Sequence, residues 1–348
     1  MAYKIAMMKS SITILLALQG LVLFGSYPQL LELDSDSPPP RIIRSCCAFG
    51  SDLKLFGIPF VKMNQITSIE KLNGHKYMGD KNEGIGLIYT TEGGFIDLGH
   101  LRDQADWTKY LYTLILTNKE DGEFVKKLAY EAGKKSLVIN ANSDLDTADC
   151  LLLAGKIAFD ISLWHELSTW YGASSVPLIS EQFSSFSVED VYSNLLGVYI
   201  GMEALKSCLP YDEAMTAILY ETLNDLGAVE AEADTYLALE AVQGTWWTRA
   251  KRLPSSGVTI ERDMEVHTIV RPWLVPDPRF GSLEPKVLAV PKTTSKGELL
   301  TDYYSLNIDL NHKFPVEEIF PERENRIITE EDFGAILIRI EEDFKRLK

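Results

Sequence analysis

The chain has 348 residues, 46% of them hydrophobic and 24% charged, proportions of a globular protein able to bury a large core without staples. A formal net charge of −16 repels phosphate backbones, which excludes nucleic acid as a partner. The N-terminal stretch, residues 1–25, reads as a signal peptide or N-terminal anchor. Lys4 and Lys9 precede an apolar run from Ile12 to Gly25 that is too short to span a bilayer comfortably. An exported chain in the periplasm or cell envelope is expected, with this segment as its sole membrane tether. Pro38, Pro39 and Pro40 close a linker over 26–40, and the folded part is expected over 41–348.

In chain order, Gly84 to Asp97 reads as strand, turn and strand, with Glu92-Gly93-Gly94 at the turn. A helix follows over 98–116, with Asp97 as its N-cap. Glu123 to Lys134 reads as a short amphipathic helix and Ser136 to Ala141 as a strand. Thr147 to Tyr171 carries apolar residues at nearly every turn and ends at Gly172. Ser187 and Asp190 form a capping signature for a helix from Val188 to about Lys206. Two more helices follow, from Pro210 to near Gly227 and from Glu230 to Val242. Val258 to Val270 alternates apolar and polar residues, the period of a half-buried strand. Strands are also expected at Lys286–Val290 and Tyr303–Leu310. A closing helix is capped by Thr329 and Asp332, with Phe333, Ile336, Leu337, Ile340 and Phe344 as its buried stripe. The fold class is therefore α+β in one large domain. A helical middle at about 98–243 lies between β segments, with a β-containing C-terminal part at about 256–348, and the two flanks are expected to join one sheet.

Chemistry concentrates in two helices. His165-Glu166 is the first half of the HExxH zinc pattern, but Thr169 stands where the second histidine belongs. His100 lies in the first turn of the helix at 98–116, on one face with Asp103, Gln104 and Trp107. Zinc or another divalent metal held by His100 and His165 needs a carboxylate, and Asp103 and Glu181 are the candidates. Glu166 would then serve as general base. Arg102 and Asp106 read as an ordinary helix pair. Trp107, Trp164 and Trp170 read as core, and His75, His267 and His312 lie in polar settings. Cys46, Cys47, Cys150 and Cys208 allow three full disulfide pairings, and without a CxxC spacing a cysteine–zinc site is not expected. No GxSxG elbow and no phosphate loop occurs.

The segments RSCCAFG (44–50), GGFIDLGHLRDQADWT (93–108), WHELSTWYG (164–172) and SEQFSSFSVEDVYSNLLGVYIG (180–201) resemble a family of uncharacterised bacterial envelope proteins, a domain of unknown function. The resemblance implies a bacterial exported protein and assigns no catalytic residue. Together these readings give an expectation of an exported metal-dependent hydrolase of an amide or ester bond, acting on a cell-envelope polymer or peptide. The competing reading is a non-catalytic envelope binding or structural protein whose His–Glu pair is structural.

Overall fold

The computed structural model describes residues 44, 48–55, 58–62, 65–140, 145–173, 181–266, 268–280 and 284–347. The leader at 1–25, the linker at 26–40, Cys46, Cys47 and His267 lie outside them. The described chain is α+β. Strands β1 (Lys54–Leu55) and β2 (Ile58–Lys62) pair antiparallel. β3 (Leu87–Thr90) and β4 (Gly94–Asp97) form the expected hairpin, buried along both strands. β4 runs directly into α1 (Leu98–Asn118), where the Asp97 side chain accepts hydrogen bonds from the backbone N–H groups of Gly99 and His100.

α1 is buried on nearly every side and is the axle of the molecule. It packs against α2 (Thr147–Trp170) and, most extensively, α3 (Asp190–Lys206). Two glycines explain the second contact. A Cβ on Gly197 would lie 2.0 Å from the Leu101 carbonyl oxygen, and one on Gly201 would lie 2.9 Å from the Ala105 Cα. Without side chains there, the helix backbones touch. The paired steps, 101 to 105 against 197 to 201, make α1 and α3 parallel, so their N-termini meet. α4 (Tyr211–Asp225) and α5 (Glu232–Ala241) follow, close to the expected bounds.

The two flanks do not join one sheet: the β3–β4 hairpin pairs only with itself, and the C-terminal strands pair instead with two strands from within the expected helical middle. β5 (Glu123–Lys127), β6 (Gly133–Asn140), β9 (Tyr304–Leu310) and β10 (Ile327–Ile328) are antiparallel in the order β10-β9-β6-β5. Between β6 and β9 in sequence lies a small pair, β7 (Ile269–Val270) with β8 (Leu288–Ala289). α6 (Val316–Ile319) is a single turn. α7 (Phe333–Leu347) covers α2 through Phe333 stacked on Trp164 and Phe344 set edge-on to Trp170.

Two expected elements differ. Glu123–Lys134 is not a helix but β5 and the turn into β6, because Ser136–Asn140 supplies a β-rich partner and Ala132 takes a left-handed φ of +54°. Val258–Val270 is not a long strand. Its alternating residues Val258, Met264, Val266 and Val270 are buried, yet only Ile269–Val270 forms a ladder. Period two marks extended chain, and a sheet needs a neighbouring strand that this segment lacks over most of its length.

Candidate metal centre

The N-termini of α1 and α3 are locked together by a hydrogen bond from the Asp97 N–H to Ser193 Oγ, 2.9 Å. Both starting residues use one carboxylate oxygen locally. Asp97 Oδ1 caps α1, and Asp190 Oδ2 accepts from the Ser187 N–H at 3.1 Å. The second oxygen of each turns to the same imidazole. His100 Nδ1 lies 3.2 Å from Asp97 Oδ2 and 3.4 Å from Asp190 Oδ1. Asp97, His100 and Asp190 thus present three ligand atoms within 4.8 Å of one another, a group that could hold a metal ion. Donors about 2.1 Å from a shared ion lie roughly 3.0–3.4 Å apart in octahedral or tetrahedral geometry, so the spacing fits.

A further acid lies close to this trio, whose Asp190 also feels the charges of His165 and Arg262. Glu189 is 1% exposed, and neither of its carboxylate oxygens accepts a hydrogen bond from another residue. The side-chain oxygens of Ser187 and Asn194 are buried and unpartnered as well. Burial pushes the Glu189 carboxyl well above the usual range, and the charges of Asp190 and Asp97 push it further. Burial also raises Asp190; His100 and His165 oppose the shift, while Glu166 and Asp97 add to it. Two helix N-termini offset only part of such crowding. A divalent cation is the species that would let these acids ionise together.

His165 lies beside this centre and is oriented by a carboxylate. Its Nδ1 sits 2.6 Å from Glu131 Oε1, and Lys135 holds the other oxygen of Glu131 at 2.5 Å. Burial alone would lower the His165 pKa, but the Glu131 hydrogen bond and charge, joined by Glu166, raise it. His100 is near enough to work against protonation of His165. Glu131 is driven well below the ordinary carboxylate range: burial would raise it, but Lys135 and His165 prevail.

The other residues singled out from the sequence go to different places. Glu166 follows His165 on α2 and feels Asp190, but its Oε2 accepts the Phe186 N–H at 2.7 Å. Thr169 donates its hydroxyl to the His165 and Glu166 carbonyls. Glu181 begins the turn leading to α3, its carbonyl accepting from Ser184. Asp103 faces a second buried cluster. There Arg44 bonds Asp103 at 2.7 Å, Asp106 at 3.0 Å and Glu83 through two nitrogens at 2.8 Å. Burial still raises the Asp103 pKa to about 7, against Arg44. His75 Nε2 lies 3.0 Å from Asp106, and Arg102 donates to the Asn73 and Glu83 carbonyls rather than pairing along its helix with Asp106.

A family model described as a protein of unknown function (DUF4056) matches residues 34–276, more than half of the chain. The chain belongs to this family. No curated protein and no solved structure matches it. The matched DUF4056 region contains the trio, Glu189 and the Glu131–His165 pair, and stops before β8, β9, β10 and α7. Among the described residues, no helix is long and apolar enough to cross a membrane.

Asp97, Glu131, Glu189 and Asp190 were not picked out as site residues from the sequence. Asp97 and Asp190 did carry a signal, as helix caps. Glu131 carried none, because the segment containing it read as helix.

Proposed function

We propose that the chain is an exported metal-dependent hydrolase of an amide or ester bond, with cell-envelope polymer or peptide as substrate. Asp97, His100 and Asp190 are its metal ligands, and Glu189 is a nearby buried carboxylate outside that set of donors. One imidazole with two carboxylates suits zinc or manganese. The ion would polarise the scissile carbonyl and acidify a water. His165, rather than Glu166, is the better proton acceptor in this reading. It is fixed by Glu131 through one ring nitrogen, which leaves the other for the reaction. Glu166 has an oxygen committed to the Phe186 backbone. The observation that carries the reading is the Asp97–His100–Asp190 trio, whose three ligand atoms lie within 4.8 Å of one another at the meeting of two helix N-termini.

A second reading rests on burial. Asp97 and Asp190 are at most 1% exposed, and the His100 side chain is 11% exposed. An ion there would also clamp α1 to α3 as a purely structural element. Metal-loaded wild-type protein and a His165→Gln variant, assayed on nitrophenyl esters and peptide anilides, separate the two. The hydrolase reading requires metal-dependent turnover that falls at least about 100-fold in His165→Gln while metal content stays constant. Metal-dependent stability without turnover, across esters and amides, leaves the structural clamp.

A further inference from the structure

A cavity of about 540 Å³ opens between the 262–274 segment and α7, apart from the metal donors. Trp246, Trp273 and Phe344 supply aromatic walls, with the two indoles perpendicular at 5.5 Å. Trp273 is held rigidly. Gly94 has a left-handed φ of +66°, and a Cβ there would lie 2.2 Å from the Trp273 carbonyl oxygen, so the hairpin backbone packs directly on this residue. The buried Asp263, also lining the cavity, accepts a hydrogen bond from the Glu265 N–H, and burial pushes its carboxyl up to about 7.

The charges around the cavity are balanced. Asp263, Glu265 and Glu341 face Arg262, Arg271 and Lys345. A multiply charged anion would meet three acids and a polycation three bases. A wholly apolar molecule would desolvate charged groups without pairing them. Arg262 adds a second sign. It is 6% exposed, gives its terminal nitrogens to the Ser185, Gln182 and Ser256 carbonyls, and keeps a buried Nε with no partner. Aromatic faces edged by donors and acceptors of both signs suit a neutral ring with one C–H face and a rim of hydroxyls. A peptide is less well matched, since its recognition leans on backbone pairing with an open strand.

We infer that this cavity is a saccharide-binding site that takes a neutral pyranose ring on Trp273, with Asp263 and Arg262 at its polar edge. The inference goes beyond the metal reading and does not depend on it. A short chain of hydrogen bonds leads from the cavity to Glu166 on α2. The Asp263 N–H donates to the Phe186 carbonyl, the Phe186 N–H donates to Glu166, and Phe186 holds a left-handed φ of +56° four residues before Asp190.

The test is calorimetric and fluorescence titration of the full chain with tetrasaccharides of glucose, N-acetylglucosamine, galactose and mannose, and with tetraalanine. At least one saccharide should bind with Kd in the range of about 0.1–5 mM and quench tryptophan emission. Trp273→Ala should weaken it at least about tenfold. If circular dichroism shows that this variant does not fold, Trp273→Phe should weaken binding about threefold while preserving the fold. His100→Ala should leave saccharide binding unchanged, so loss of the metal reading would not remove this site. Absence of saccharide binding up to about 10 mM overturns the inference. So does binding that is indifferent to a folded Trp273 variant, or Trp273-dependent binding of tetraalanine alone.

Discussion

Two buried charged clusters lie on α1 barely a turn apart, and they are built on opposite principles. Around Arg44, cations and acids are matched: Glu83, Asp103 and Asp106 share Arg44, while His75 and Arg102 fill in neighbouring positions. Around His100, two carboxylates, Asp97 and Asp190, share one imidazole, and the carboxylate of nearby Glu189 accepts no hydrogen bond. A matched buried network fixes structure, here tying residue 44 to α1. A mismatched one opposes folding and persists where a ligand resolves it. Both contain a histidine and two aspartates, so residue type does not separate them.

The largest contrast should come from removing one charge on each side. Arg44→Met leaves three buried carboxylates without their cation and should cost about 3–5 kcal/mol in urea unfolding. Asp190→Asn should leave metal-free stability unchanged or raise it by about 1 kcal/mol, since it relieves a like-charge cluster. A loss of more than about 2 kcal/mol in metal-free Asp190→Asn would mean that the two clusters are alike. Next in size is packing at the helix contact that creates the second cluster. Gly197→Ala drives a methyl into the Leu101 carbonyl and should destabilise by at least about 1–3 kcal/mol.

pH sharpens the comparison. Glu189 and Asp190 have raised pKa values in the folded chain, so the metal-free fold binds more protons than the unfolded chain just above the ordinary carboxylate range. Their contribution is favourable below about pH 4 and is lost as pH rises through the raised values. The stability advantage of metal-free Asp190→Asn over wild type should therefore grow from acid to neutral pH. The Glu131–His165 pair gives a smaller effect. His165 is raised, so its contribution is complete below about pH 6.5 and fades as pH climbs through the folded value. Glu131 is lowered, so its contribution is present above about pH 4.3 and fades as pH falls through the folded value. Glu131→Gln should accordingly cost most between those limits, about 1 kcal/mol, and lower the His165 pKa seen by proton NMR. An unshifted His165 in that variant would remove Glu131 as its orienting group.

The sequence went far on local structure. Apolar residues at nearly every turn marked α2, a buried stripe marked α7, and the Asp97 and Asp190 signatures marked where α1 and α3 begin. Those same signatures hid the site, because a cap engages one carboxylate oxygen and sequence does not say where the other points. The close approach allowed by Gly197 and Gly201 brings the second oxygen of each to His100. Glu131 was hidden by a different cause: its segment has helical spacing, and the β6 pairing that overrides it comes from residues further along. The Arg44 cluster was illegible because its members, residues 44, 75, 83, 102, 103 and 106, meet only through tertiary folding.

The central claim is tested most directly by titrating zinc and manganese into chelator-treated wild-type, His100→Ala and Asp190→Asn proteins at pH 7.5, by calorimetry. Wild type should bind about one ion per chain, with affinity at least about 100-fold above either variant. Equal binding by all three, or none by wild type, would contradict the account.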